Sequence, residues 1–335
     1  MAVIQCGLER LLTHFLTEKP RPRSFGLWLK DTTGHPFMKA APFDYVLAQD
    51  MDEALSLIDQ HGPEAKLIAG GQSLVPMMAM RLARPQWLVD INRLSELKQL
   101  DMHAKHVLIG AGVRQRDLEF NTQLYQHVPL LKHALSWVGH IQTRNRGTLG
   151  GSLVYADPSA ELPLSALILN AKIHLQSKNA GAREVLAEDF FLGPMFTAIA
   201  DNECLSAIEW PIWSGPHIGV AFEETAIRKG DFAMASAACQ IQLDPSGVIK
   251  RVSFGLGGVD GTPRAFPHLA TQMMGQKISD LSMQDIAQAA IQECDPSSDM
   301  HASSAYRKHL AQTLLCRATH QAAQMAQGHA STSPH

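Results

Sequence analysis

Between residues 50 and 91 the hydrophobic pattern changes period repeatedly. DMDEALSLIDQHG (50–62) puts Ala54, Leu57, Ile58 and His61 on one stripe, which predicts an amphipathic helix. Asp50 can cap its start and Gly62 can end it. AKLIAG (65–70) is a short apolar run expected as a buried strand. LVPMMAMRLA (74–83) reads as a helix that tolerates Pro76 in its first turn, and WLVDI (87–91) as a second strand. The sum is a small α/β unit.

Further on, HVLIGAGV (106–113) predicts a strand and RQRDLEF opens a helix. PLLKHALSWVGH (129–140) gathers Leu130, Leu131, Ala134, Leu135 and Val138 on one side, a stronger helix. AELPLSALILN (160–170) also reads as helical. AKIHLQS, AREVLA and CLSAIEWP alternate like strands of an antiparallel sheet. PIWSGPH (211–217), rich in Pro and Gly, marks a boundary. Three strand-like runs follow it (GVAFEETAI, AMASAACQIQLD and IKRVSFGLGGV), with helical segments to about residue 325. The expected C-terminal unit is therefore a three-stranded sheet covered by helices. No fixed-period repeat is present.

Composition narrows the function. The 335-residue chain is 45% hydrophobic and 18% charged, ordinary for a globular protein. Its formal charge of −3 argues against a nucleic-acid binder; Arg144 and Arg146 make only a local basic spot. No run of 18 apolar residues would span a membrane. Five cysteines, at 6, 204, 239, 294 and 316, have no C-x-x-C spacing, so the chain cannot ligate an iron–sulfur cluster on its own. They read as reduced thiols of a cytoplasmic protein. Residues 1–37 lack the continuous apolar core of a signal peptide and form an N-terminal extension, either a real appendage or an unused upstream start. MKAAPFDYV then reads as the start of an ordered domain, and residues 326–335 as a frayed polar tail.

Two glycine pairs carry the candidate chemistry. IAGGQS (68–73) leads from a strand into a helix, and TRNRGTLGGS (143–152) follows an arginine cluster. Glycine tolerates φ > 0, so consecutive N–H groups can converge on an anion. Two such turns facing one another suit a diphosphate, whereas each pair alone is equally a tight turn with no ligand. No dinucleotide fingerprint, P-loop, H-E-x-x-H or G-x-S-x-G is present. In ADPSAELP (156–163), Asp157 can cap a helix beginning near Ala160. Glu161 either complements that helix's dipole or accepts hydrogen bonds from a sugar or ribityl chain.

LIAGGQSLVPMMAMRLARPQWLVDINRL (67–94) and QTRNRGTLGGSLVYADPSAELPLSALILNAKIHLQ (142–176) resemble the FAD-binding medium subunit of molybdenum hydroxylases. That family includes carbon monoxide dehydrogenase and enzymes of the xanthine dehydrogenase type. IRKGDFAMASAAC (227–239) resembles a third landmark of the same subunit. The resemblance implies an α+β fold. A two-subdomain FAD-binding domain of the vanillyl-alcohol-oxidase-like (PCMH) type would cover 38–215, with subdomains of about 38–92 and 93–215. A small α+β domain would cover 216–325.

By position, Ala69, Gly70, Gly71, Gln72 and Ser73 would hold the FAD diphosphate together with Thr148, Leu149, Gly150, Gly151 and Ser152. Glu161 would bind the flavin's polar chain. Lys229, Asp231 and Phe232 would lie near the isoalloxazine, with Phe232 packed on the ring. Gln72 stands where many relatives carry His, and Ser152 where many carry Asn; both keep their hydrogen-bonding ability. The implied function is electron relay through non-covalent FAD. A large subunit would hold the molybdenum cofactor and a small one two [2Fe–2S] clusters, in a dimer of heterotrimers. The substrate, and the acceptor among oxygen, NAD and a quinone-linked carrier, stay open. The alternative is a stand-alone FAD-dependent oxidase or dehydrogenase of related fold.

Overall fold

The computed structural model describes residues 39–328. The extension expected over 1–37 and the tail from 329 lie outside the described residues. The first unit is a parallel sheet of β1 (Asp44–Leu47), β2 (Ala65–Ile68) and β3 (Trp87–Asp90), in the order β1-β3-β2. The helix Met51–His61 begins where the Asp50 carboxylate accepts the Glu53 N–H at 2.8 Å, and it ends at Gly62 with φ 52°. Its buried Ala54, Leu55 and Ile58 pack in a core with Ala65, Val89 and Cys204. The helix expected after the first glycine pair is short, Leu74–Ala79.

The second unit is an antiparallel sheet of β4 (Leu100–Met102), β5 (His106–Gly110), β6 (Lys172–Ser177), β7 (Gly181–Leu186) and β10 (Glu203–Pro211). The strand order is β4-β5-β10-β6-β7. A small hairpin of β8 (Phe191–Gly193) and β9 (Phe196–Thr197) lies beside it. Between β5 and β6 the chain makes a run of short helices. The one expected over 129–140 stops at Leu135; Gly139 then takes φ 44°, and the chain resumes as Ile141–Arg146.

The C-terminal sheet holds β11 (Ile218–Thr225), β12 (Ala235–Leu243), β13 (Ile249–Gly257) and β14 (Arg264–Ala265), in that order. Four strands thus replace the expected three. The addition, β14, is a two-residue edge pairing with Gly255 and Leu256, too short for any periodic signal. One face of β12, through Ala235, Ala237, Cys239, Ile241 and Leu243, packs with the helices Pro267–Met273, Met283–Gln292 and Ser304–Ala326. From the other face Ala238, with Val220 and Phe222 of β11, joins the core of the second unit. A continuous apolar interior therefore fixes how the last sheet sits on the preceding one.

Candidate functional site

A cavity of about 1090 Å³ is lined by all three units. The first glycine pair forms part of its wall. Gly71 takes φ 72°, a left-handed conformation open to glycine at little cost. Gly70 is buried so tightly that an added Cβ would lie 2.3 Å from the Arg146 carbonyl oxygen. Among the described residues the amides of Gly70, Gly71, Gln72 and Ser73 find no acceptor. Neighbouring side chains hold this turn. Asn92 Nδ2 donates to the Ala69 carbonyl at 2.7 Å, and Arg114 Nη2 donates to Asn92 Oδ1 at 2.5 Å. Arg114 Nη1 donates to the Arg146 carbonyl, so a single guanidinium spans both glycine segments. Gln72 Nε2 turns back on Gly70 O at 3.1 Å.

The second pair differs from the turn expected there. Gly150 and Gly151 lie inside a helix, Leu149–Tyr155, capped by Thr148. Their N–H groups are already engaged. The amide of Leu149 bonds Val113 O, that of Gly150 bonds Ala111 O, that of Gly151 bonds Thr148 Oγ1, and that of Ser152 bonds Thr148 O. Gly150 is glycine for space: a Cβ would fall 2.5 Å from Ala111 Cβ. Thr148, Gly150, Gly151 and Ser152 line the cavity, whereas the Leu149 side chain is fully buried in the core.

Beyond that helix Ala156 takes φ 50°, and its carbonyl accepts the N–H of Met195, which takes φ 54°. Two non-glycine residues in this conformation, Met195 in the cavity lining and Ala156 buried behind it, are strain held by the surrounding fold. Asp157 does not cap the helix that follows, as the sequence suggested. Its Oδ1 closes its own turn on the Ser159 N–H at 2.9 Å, and Ala160 occupies the cap position without a side-chain bond. Glu161 opens that helix, Glu161–Ile168, and faces the cavity. Burial is the main cause that pushes its carboxyl up, to about 7.

Asp231 and Phe232 reach the cavity from the loop between β11 and β12, and Phe232 is 75% exposed. Lys229 is exposed and lies outside the lining. Gly230, at φ 93°, lets this loop cross His140: a Cβ would sit 2.6 Å from the imidazole. No sequence pattern pointed to Arg307. This buried residue of the C-terminal helix donates from Nη1 to Met234 O at 2.6 Å and to Gly258 O, and pairs with Asp299 at 2.5 Å. Asn92 and Arg114 were also unforeseen as supports. All of these act through partners distant in sequence, which no local pattern records.

Among the described residues no group of three or more His, Cys, Asp or Glu could hold a metal, and no helix is long and apolar enough to cross a membrane. Cys204 and Cys239 are buried, which pushes both thiols up to about 12.

Residues 41–213 match the family described as the FAD binding domain in molybdopterin dehydrogenase. Residues 220–322 match the CO dehydrogenase flavoprotein C-terminal domain. The chain is 36% identical over 290 residues to the 6-hydroxypseudooxynicotine dehydrogenase complex subunit alpha of Paenarthrobacter nicotinovorans, covering 85% of this chain and 97% of that one. It is 36% identical over 276 residues to the glyceraldehyde dehydrogenase medium chain of Sulfolobus acidocaldarius, covering 82% and 96%. Its structure matches a chain of quinoline 2-oxidoreductase from Pseudomonas putida 86 with a TM-score of 0.81 and 34% identity, over 86% and 99% of the two chains.

Proposed function

The chain belongs to the FAD-binding family of molybdopterin dehydrogenases, the flavoprotein subunits of multisubunit molybdenum hydroxylases, and from that premise we propose how its own residues hold FAD. It is an oxidoreductase component, and the residues around the cavity fit the cofactor. A volume of about 1090 Å³ lies at the upper end of small-molecule sites. The observation that carries the reading is the row of four unengaged amides at Gly70–Ser73 in its wall. A buried donor without an acceptor, such as the Gly70 N–H, is costly, and a diphosphate supplies acceptors to the whole row.

Bound FAD would supply the redox chemistry that side chains lack, taking up electrons one at a time and passing them on. The chain binds and orients it. The amides of residues 70–73 and the Ser73 hydroxyl take the diphosphate. Gly150 and Gly151 let the helix Leu149–Tyr155 approach without side chains in the way, and the Ser152 and Thr148 hydroxyls face the ligand. Leu149 serves by anchoring that helix through its buried side chain. Glu161 accepts from the ribityl hydroxyls. Asp231 and Phe232 border the flavin ring, with Phe232 packing on its face, and Lys229 flanks them on the same loop.

In the assembly, the chain receives electrons from the [2Fe–2S] clusters of a small subunit and hands them to an external acceptor, while a large subunit holds the molybdenum cofactor. We take the assembly to be a cytoplasmic dimer of heterotrimers. The full-length chain co-expressed with its partner subunits tests the site. Gly70→Val is expected to leave less than about a tenth of the FAD in an assembly that still forms, because a fixed carbonyl occupies the new side chain's place. Full flavin content in that variant overturns the assignment.

A further inference from the structure

Behind the cavity wall lies a second carboxyl that the cofactor site does not use. Glu224, near the end of β11, is 7% exposed, and its Oε2 is buried with no hydrogen-bond partner. Ser236, directly opposite on β12, is fully buried, and its Oγ also lacks a partner. Gly257 of β13 completes the row. A Cβ there would lie 2.5 Å from Ser236 Oγ and 3.5 Å from both Leu164 Cδ2 and the Pro158 carbonyl oxygen. The row Glu224–Ser236–Gly257 thus packs under the first turn of the helix that carries Glu161, and Gly258 N–H fastens it there by bonding Pro158 O at 2.8 Å.

Among the described residues no cation neutralises this pair of carboxyls. Arg144, from the helix Ile141–Arg146, acts on Glu161 at a distance, but its guanidinium is held by Glu119 and the carbonyls of Val138 and Gly139. Arg307, from the C-terminal helix, is held by Asp299 and two carbonyls. The turn ahead of Glu161 contributes Tyr155 and Asp157, and the charge of Asp157 only opposes ionisation of Glu161. A buried carboxyl with neither cation nor donor keeps its proton.

We propose that Glu224 is the proton-bearing partner of Glu161: it keeps a proton behind the cavity wall, so that Glu161 alone faces the hydroxyl chain of FAD as an anion. This rests on the reading of Glu161 given above. Burial, and after it the charge of Glu161, pushes Glu224 up; Glu161 is raised by burial too, but a backbone hydrogen bond favours its anion, and Glu224 Oε2 has no such donor. The proton the pair shares therefore sits on Glu224, the member without a donor and behind the cavity lining. Glu224 is a positioning residue: above its range a second anion appears behind the first and opposes binding of the anionic cofactor.

The test is the pH profile of FAD affinity for the full-length chain, measured by flavin fluorescence for the native protein, Glu224→Gln and Glu161→Gln. Between pH 7.5 and 9.5 native affinity is expected to fall about three- to fivefold relative to Glu224→Gln, in which a neutral amide replaces the acid. Parallel profiles, or a Glu224→Gln variant already much weaker at pH 7.5, overturn the proposal. Glu161→Gln separates the two readings. Its retention of full affinity removes Glu161 from the FAD site, whereas a weakened Glu161→Gln beside parallel profiles removes only the shared proton. If Glu224→Gln does not fold, infrared difference spectra of the native chain decide: a protonated-carboxyl carbonyl band present at pH 7.5 and lost at high pH supports the proposal, and its absence at pH 7.5 overturns it.

Discussion

The two glycine pairs look alike on paper and do opposite things in space. At 70–71 the backbone turns through a left-handed residue and leaves four amides without acceptors. At 150–151 the backbone is helical and its amides are engaged by Val113, Ala111 and Thr148. In the first pair Gly70 admits the Arg146 carbonyl and Gly71 supplies the left-handed turn that leaves the donors free, whereas the second pair serves close approach alone. A glycine-rich segment beside an anion site is therefore not by itself a second anion site. Who receives its N–H groups decides.

Substitutions can break that comparison. The largest expected effect is at Gly70, where any side chain meets the Arg146 carbonyl. Gly70→Val should lose FAD and cost about 3 kcal/mol or more, read by flavin absorbance and thermal unfolding. Gly150→Ala comes next, meeting Ala111 at 2.5 Å. It should cost about 1–3 kcal/mol, while the folded protein keeps FAD affinity within about threefold. A Gly150→Ala protein of native stability that has lost FAD would erase the distinction. Thr148→Ala removes the cap on Gly151 and should cost about 1 kcal/mol, a lower melting temperature with little change in binding. Ser73→Ala is the mildest. No side-chain cap is lost there, so stability should hold while FAD affinity weakens about three- to tenfold, measured by equilibrium titration.

Alkaline pH sharpens a different contrast, that between the cavity wall and what lies behind it. Glu224 has a folded-state value of about 9, above its ordinary one, so the folded chain binds the extra proton. By linkage its contribution to stability declines as pH rises from the ordinary carboxyl range toward 9. Thermal unfolding of the native chain should therefore lose ground to Glu224→Gln over that interval.

The chain's periodicities disclosed most strands and the main helices, because burial repeats every two or 3.6 residues whatever the partner. They missed β1, β4, β8, β9 and β14, which are only two to four residues long and have little room for a period. Glycine identity pointed to both backbone segments, yet it could not separate a left-handed turn from a steric contact. Ala111, the reason for Gly150, is in another element. Arg307 lies beside Tyr306, Lys308 and His309 near the start of a long helix, a setting that carries no local sign of burial. Only the tertiary contact with Met234 and Gly258 shows that it is buried.

Arg307 also sets an order of assembly. Its guanidinium fastens the carbonyls of Met234, beside the Phe232 loop, and of Gly258 to the first turns of the chain's last helix. A ribosome delivers those residues after all the strands that line the cavity, and domains fold from the N-terminus as they emerge. The cavity wall therefore stays unfastened until the helix Ser304–Ala326 is released, and the nascent chain closes around its flavin only from that point.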